Sequence, residues 1–232
     1  MKTNLVIAIT ATDTGVGKTT VTRGLLRALI DRGKKPFPLK WVETGCSDDT
    51  RSDRDALAEA AKVESQLSDV GPIRLAIPAA PTVAARHEGR VLVLTDYNDV
   101  LETAKYHGEM VIVEGAGGVL VPMTEDRNFA DLCVVLQVQC AVIVARTTLG
   151  TINHTALTIE ALQHRKIRIL AVVLNESTQT TDDSGSCDEL KRLYPHLVLG
   201  PLPWLPSSTD DQLASAVTDC GLTARVMSLG AE

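Results

Sequence analysis

Lys18 and Thr19 stand near the end of Ala11-Thr12-Asp13-Thr14-Gly15-Val16-Gly17-Lys18-Thr19-Thr20, a run suited to phosphate chemistry. Backbone N–H groups of a glycine-bearing turn and of a helix's first turn have no internal partner. With the helix dipole they cradle a polyphosphate. Gly15 and Gly17, on either side of Val16, permit positive φ and close backbone approach. Lys18 would reach the terminal phosphates, the Thr19 hydroxyl would ligate Mg²⁺, and Thr20 extends the same helical turn. The usual spacing is glycine, four residues, then Gly-Lys-Ser/Thr. Counting back from Gly17 gives Thr12, and one position earlier stands Ala11. A plain strand-to-helix turn with an accidental Gly-Lys-Thr is the bland alternative.

Other polar residues end apolar runs. Lys40 does so; it is either solvated or, beside a phosphate loop, able to neutralise charge on a transferred phosphoryl group. Thr44-Gly45 follows and could hold a polar substrate group. Asp53 and Asp55 precede a helix, where they either cap it or meet a magnesium ion. Glu114 ends Met110-Val111-Ile112-Val113, where a carboxylate without a partner is costly and a cation removes the cost. Thr19, Asp55 and Glu114 are therefore a hard-oxygen set for one Mg²⁺. Gly115, Ala116 and Gly117 suggest backbone approaching a ligand. Gly150-Thr151-Ile152-Asn153-His154 opens a helix whose N–H groups suit a carboxylate or are met by an ordinary N-cap. Asn175 could read a nucleotide base, although no Asn-Lys-x-Asp follows. Trp204, after Pro203, could line a base pocket or pack in the core.

These residues need strands and helices to hold them. Strands are expected at residues 5–10, 37–42, 110–113, 141–145, 169–174 and 197–202. Helices are expected at 21–32 (closed by Gly33), 54–62, 82–88, 96–107, 129–138, 154–163 and 210–227. Residues 43–55 read as a polar loop, 71–81 as mostly irregular and 178–186 as a polar excursion. Apolar strands alternating with helices predict an α/β fold: a mostly parallel sheet with helices on both faces and P-loop nucleoside triphosphate hydrolase architecture. Ligands of such sheets bind beyond the carboxyl ends of the strands. That edge would receive Lys40, Glu114, Thr147 and Asn175 together with the loop.

The 232 residues, 44% of them hydrophobic, are read as one domain, 1–232, with a substantial core. A net charge of −6 argues against a general nucleic-acid or membrane surface. The start, Met1-Lys2-Thr3-Asn4, runs directly into a short strand, so a cytoplasmic location is expected. Cys46, Cys133, Cys140, Cys187 and Cys220 show no zinc spacing and read as free thiols.

The ordered set resembles the ATP-dependent dethiobiotin synthetases over nearly the whole chain. The resemblance rests on Thr12–Thr19, Lys40 with Thr44-Gly45, Arg54-Asp55-Ala56-Leu57 and Val113-Glu114-Gly115-Ala116-Gly117-Gly118. It continues through Gly150-Thr151-Ile152-Asn153-His154, Asn175 and Gly200-Pro201-Leu202-Pro203-Trp204. That family's phosphate loop is one residue longer, which accounts for the spacing. The resemblance implies an enzyme, a cyclo-ligase of biotin biosynthesis. It implies a homodimer with active sites at the interface, acting on 7,8-diaminopelargonic acid, CO₂ (or bicarbonate) and ATP with Mg²⁺. It implies a carbamate, then a carbamic-phosphoric anhydride, then ring closure. Lys18 and Lys40 would be catalytic and Thr44 would hold the carbamate. Gly150, Thr151 and Asn153 of the partner subunit would take the tail carboxylate. Asn175, Pro203, Trp204 and Leu205 would frame the base.

Ala11 departs from the family's loop-opening glycine, and Trp41 stands where proline is common. No tyrosine aligns cleanly with the tail site; Tyr194 is the nearest. Two other readings remain: a cobyrinate-type ATP-dependent amidase core, and a partition or cell-division ATPase switch. The latter carries an extra lysine about where Asp13 stands.

Overall fold

The computed structural model describes residues 4–47, 51–176, 185–205 and 207–229. Residues 178–184 of the polar excursion, 48–50 of the polar loop, and Met1–Thr3 lie outside the described residues.

β1 (Leu5–Ala11) is a run of aliphatic and β-branched residues, and it leads through the phosphate loop into α1 (Lys18–Ile30). β2 (Pro36–Lys40) follows. Two short strands, β3 (Glu43–Thr44) and β4 (Arg74–Leu75), pair in parallel around α2 (Asp53–Ala61) and α3 (Leu67–Val70). Next come α4 (Pro81–His87), α5 (Leu94–His107), β5 (Met110–Glu114) and α6 (Phe129–Val135). The chain continues through β6 (Cys140–Arg146), α7 (Thr151–His164), β7 (Ile169–Asn175) and α8 (Ser186–Leu193). β8 (Val198–Leu202), α9 (Asp210–Asp219) and α10 (Leu222–Ser228) complete it.

Six strands form a parallel sheet in the order β2-β5-β1-β6-β7-β8. Every residue of β2 and β5 is buried, and so is every residue of β1 and β7 after the first. Consecutive burial means both faces are covered, as parallel sheets require. α1 lies along α9, and Gly24 makes that approach possible: a Cβ there would stand 2.7 Å from the Leu213 carbonyl oxygen. Trp41 is fully buried between the rings of Tyr97 and Phe129, 6.0 and 5.5 Å away. The tryptophan that replaces proline thus anchors the end of β2 in the core. No helix among the described residues is long and apolar enough to cross a membrane.

Several expected elements differ in extent. The closing helix is two helices, because Gly221 at φ +91° breaks it. α6 stops at Val135, and Gln137 turns left-handed two residues later. α7 starts three residues earlier than expected, directly after Gly150. The polar loop and the irregular stretch contain β3 and β4, too short to show a period.

Candidate active site

Parallel register aligns the carboxyl ends of the strands. Lys40 is the register partner of Glu114, Glu114 also neighbours Ile9, and Arg146 neighbours Asn175. The phosphate loop leaves β1 at this edge. Gly15 and Gly17 have φ of +72° and +97°, and α1 begins with no side-chain cap, leaving its first N–H groups for an anion. Gly17 has a second constraint: a Cβ there would stand 2.2 Å from the Asn175 amide nitrogen. That nitrogen donates to the Val16 carbonyl at 3.0 Å. Asn175 therefore buttresses the loop.

A cavity of about 320 Å³ opens over the loop, lined by Lys18, Thr19, Lys40, Thr44, Asp53 and Gly117 among others. Its floor is an ion cluster. Lys40 Nζ donates to Glu114 Oε1 at 2.7 Å and to Asp53 Oδ2 at 2.6 Å. The Thr19 hydroxyl donates to the same Glu114 Oε1 at 2.8 Å. Glu114 is fully buried, and its Oε2 has no partner. Burial works against charge on Lys40, but Glu114 and Asp53 outweigh it and raise its pKa above the ordinary lysine value. Burial likewise opposes charge on Asp53, yet Lys40 holds that carboxyl below its usual range. Lys18 is lowered by burial, which Glu114 only partly offsets.

Asp55, expected in the metal set, stands in the first turn of α2 together with Asp53. Asp55 is the third residue of α2, and its carboxylate accepts the Ser52 N–H at 3.1 Å in a capping box. Asp53, at the helix start, points to Lys40 instead. Among the described residues no group of three or more His, Cys, Asp or Glu side chains is placed to hold a metal. A cation here would draw on Glu114, Asp53 and the Thr19 hydroxyl.

Sequence reasoning missed Glu43. It is buried, its Oε1 accepts the Asp53 N–H at 2.5 Å and its Oε2 has no partner. Burial raises its pKa, offset only in part by that N–H. It fixes the start of α2 and so the aim of Asp53. The only signal in the sequence was its place three residues after Lys40.

Thr44, Ala116 and Gly117 also line an adjoining cavity of about 390 Å³ with Pro78, Ala79 and Pro81. Gly115 packs against the Phe129 ring, 2.7 Å from where a Cβ would be. Val16 is buried and Thr20 half-buried at the loop. Pro203 and Leu205 border a larger groove of about 730 Å³ between β8 and α9. Trp204 is half-buried, and its backbone N–H donates to the Glu176 carboxylate at 3.4 Å.

Gly150 (φ +92°) precedes α7, which has no side-chain cap. Thr151 is buried, its hydroxyl donating to the Arg146 carbonyl at 2.6 Å, while Asn153 is exposed. None of the three lines the phosphate-loop cavity of its own chain. Tyr194 precedes the amino end of β8, at the opposite edge of the sheet from the loop.

Loop, capless helix, strand-end lysine and buried carboxylate define a P-loop nucleotide-binding protein. The family model described as AAA domain matches residues 6–212. Among solved structures, the MinC:MinD cell division complex of Aquifex aeolicus superposes with a TM-score of 0.61 and 16% identity. That match covers 97% of this chain and 96% of the other. MinD of Pyrococcus furiosus gives 0.55 at 17% identity, covering 98% and 100%. Both show the fold. Sequence relatives are nearer. The ATP-dependent dethiobiotin synthetase of Anaeromyxobacter sp. (strain Fw109-5) is 43% identical over 76% of this chain and 78% of its own. That of Bacillus licheniformis is 36% identical over 97% of both. The chain belongs to the ATP-dependent dethiobiotin synthetase family, and it is an ATP-dependent ligase.

Proposed function

We propose that this protein closes the ureido ring of dethiobiotin from 7,8-diaminopelargonic acid, CO₂ and ATP, as a homodimer in the cytoplasm. One amine of the substrate adds to CO₂, losing a proton and giving a carbamate. The carbamate oxygen attacks the γ-phosphorus of ATP, ADP departs, and a carbamic-phosphoric anhydride remains. The second amine attacks the anhydride carbon and loses a proton, the C–O bond to phosphate breaks, and the ring closes with release of phosphate.

The observation that carries this reading is the buried Lys40 between Glu114 and Asp53 on the floor of the loop cavity. Lys18 and Lys40 gather positive charge where carbamate and γ-phosphate oxygens accumulate negative charge. Thr44, on the cavity wall, holds the carbamate end. Both amines belong to one molecule, so closure is intramolecular once the tail is fixed. Gly15, Gly17 and the first turn of α1 take the phosphates; Asn175, Pro203, Trp204 and Leu205 frame the base.

The donors fit Mg²⁺: Thr19 and Glu114 present hard oxygens, the first turn of α2 adds Asp55 and Asp53, and the unpartnered Glu114 Oε2 is a buried charge that a cation would satisfy. Bound there, Mg²⁺ supplies Lewis-acid neutralisation of the phosphate oxygens.

Gly150, Thr151 and Asn153 of the partner subunit receive the substrate's tail carboxylate. Leu149, Leu157 and Leu120 support a self-association face, being 86%, 55% and 53% exposed. Leu120 and Leu157 share a cleft with Asp13 and Thr14 of the phosphate loop.

The test is product formation from diaminopelargonic acid, bicarbonate and Mg-ATP, with CTP and GTP run alongside. Ring-closed product with stoichiometric phosphate supports the assignment. Phosphate release triggered only by other acids would favour the amidase core. ATP-gated association without product would favour the switch.

A further inference from the structure

Asn175 ends β7 and is only 4% exposed. Its Nδ2 donates to the Val16 carbonyl at 3.0 Å, a buried bond between residues 159 apart in the chain. The accepting carbonyl fixes which way round the amide lies, with the nitrogen on the loop and Oδ1 left for another partner. Gly17 makes room for this contact, because a Cβ there would stand 2.2 Å from that nitrogen. In a trans peptide the C=O and the following N–H point to opposite sides. Anchoring the Val16 carbonyl on Asn175 therefore turns the Gly17 N–H away from β7. The Gly17 carbonyl is held as well, accepting the Val21 N–H at 3.1 Å in the first turn of α1. Both peptide planes that flank Gly17 are thus set, and Gly17 and Lys18 line the loop cavity. The next residue serves the other end of the site. The Glu176 N–H donates to the Leu202 carbonyl at 3.0 Å, and its Oε2 accepts the Trp204 backbone N–H at 3.4 Å. These two bonds hold the segment that carries Pro203 and Trp204 against the end of β7.

We infer that Asn175 and Glu176 are positioning residues for the two ends of the nucleotide: Asn175 aims the loop N–H groups at the polyphosphate, and Glu176 fixes the segment that frames the base. Deleting the Asn175 donor leaves a buried carbonyl without its partner and releases the Val16–Gly17 peptide to rotate. That loss falls on any ligand with a phosphate chain, with or without a base. Deleting the Glu176 carboxylate releases only the base segment, so a ligand without a base does not register it. The Asn175 Oδ1 stays available to a base, so ATP loses at least as much as a bare phosphate chain when Asn175 is replaced. This inference rests on the reading above of the loop as the ATP site, but its test does not depend on turnover.

Binding of inorganic tripolyphosphate and of ATP is measured by calorimetry in one MgCl₂ buffer, below the onset of unfolding, on wild type, Asn175→Leu, Glu176→Ala and Leu222→Ala. Leucine keeps the volume of Asn175 and removes the donor. Leu222 is fully buried in α10, so its replacement controls for lost stability alone. Asn175→Leu should bind tripolyphosphate about five- to tenfold more weakly than wild type, and ATP more weakly by at least that factor. Glu176→Ala should lose about threefold in ATP affinity and keep its tripolyphosphate affinity. Leu222→Ala should keep both. Unchanged tripolyphosphate affinity in Asn175→Leu overturns the proposal, whatever happens to ATP. So does an equal tripolyphosphate loss in Leu222→Ala or in Glu176→Ala. A wild type that binds ATP but no tripolyphosphate overturns it too, because the loop is then not aimed before the base arrives. Should Asn175→Leu not fold, Asn175→Ser carries the same comparison with the same outcomes. Dethiobiotin formation by the wild type is scored separately. A productive wild type with no tripolyphosphate loss in Asn175→Leu sinks this inference alone, whereas the loss without product sinks only the assigned reaction.

Discussion

Two ion-pair systems flank the phosphate loop, and their distances nearly match. On one side Lys40 meets Asp53 and Glu114 at 2.6 and 2.7 Å; on the other Arg146 meets Asp13 at 2.5 Å. Their surroundings differ. Lys40 and Glu114 are 5% and 0% exposed, Arg146 and Asp13 31% and 52%. Water screens the second pair; in the first it reaches Asp53, which is 43% exposed, but hardly the Lys40–Glu114 arm. Distance alone therefore says little about energetic weight. Removing one member of a buried pair leaves a charge without compensation and costs about 3–5 kcal/mol, whereas exposed pairs contribute about 0–1 kcal/mol. Lys40 of the buried pair lines the loop cavity, and the exposed pair ties Asp13 of the loop to Arg146.

The largest effect should come from the buried side. Lys40→Ala should lower turnover about 10²–10³-fold while leaving ATP affinity nearly intact, because its charge matters most in the transition state. Steady-state kinetics with a separate ATP titration checks this; equal losses in both would contradict the role. Gly17→Ala comes next. Its Cβ would press on the Asn175 amide at 2.2 Å in a backbone held at φ +97°, which should cost about 1–3 kcal/mol of stability and much of the ATP affinity. Adding Asn175→Ala should return the part due to collision but not the part due to φ. A double variant no better than the single would mean that Asn175 yields freely.

Glu43 extends the comparison behind the cluster. Burial raises its pKa, so the folded chain keeps that proton to higher pH than the unfolded chain does. Between the ordinary carboxylate value and the raised one, the folded state binds more protons, and this group's contribution to stability falls as pH rises. Asp53 has the opposite sign: its depressed pKa gives stability that is full above the ordinary value and is lost as pH falls through the lower one. Glu43→Gln keeps an acceptor for the Asp53 N–H and removes the buried charge. It should flatten the decline in melting temperature from mildly acidic to neutral pH, with kcat changed less than in Lys40→Ala. An unaltered pH profile would show that Glu43 does not titrate in that interval.

The sequence carried the loop, the strand-end positions of Lys40 and Glu114 and the parallel sheet, because long apolar runs and their terminal polar residues have a readable period. It did not show how Asp53 and Asp55 divide their contacts: both fall in the first turn of α2, and only the geometry shows that Asp55 closes the capping box with Ser52 while Asp53 reaches Lys40. Glu43 was hidden for a related reason: β3 has two residues, too few for alternation to show which side chain turns inward. The break at Gly221 was readable as a glycine inside a helical pattern, but a single glycine can also be tolerated there. The hydrogen bond that the Asn175 side-chain amide donates to the Val16 carbonyl joins residues far apart in the chain, which no local pattern announces.

The smallest effect should belong to the exposed pair. Asp13 accepts the Thr14 N–H at 2.7 Å, and its carbonyl lies 3.4 Å from Lys18 Nζ, so the Arg146 guanidinium reaches the loop through Asp13. Arg146→Ala should change stability by no more than about 1 kcal/mol. It should raise the KM for ATP modestly and leave kcat unchanged, because loop placement differs from charge delivery. In about 1 M salt, where the Debye length is about 3 Å, wild type and variant should converge. The Lys40→Ala deficit should persist under the same conditions, since its partner Glu114 is fully buried and bulk salt screens it little. A salt-insensitive Arg146→Ala defect in kcat would erase the distinction between the two pairs and place Arg146 among the groups that contact substrate.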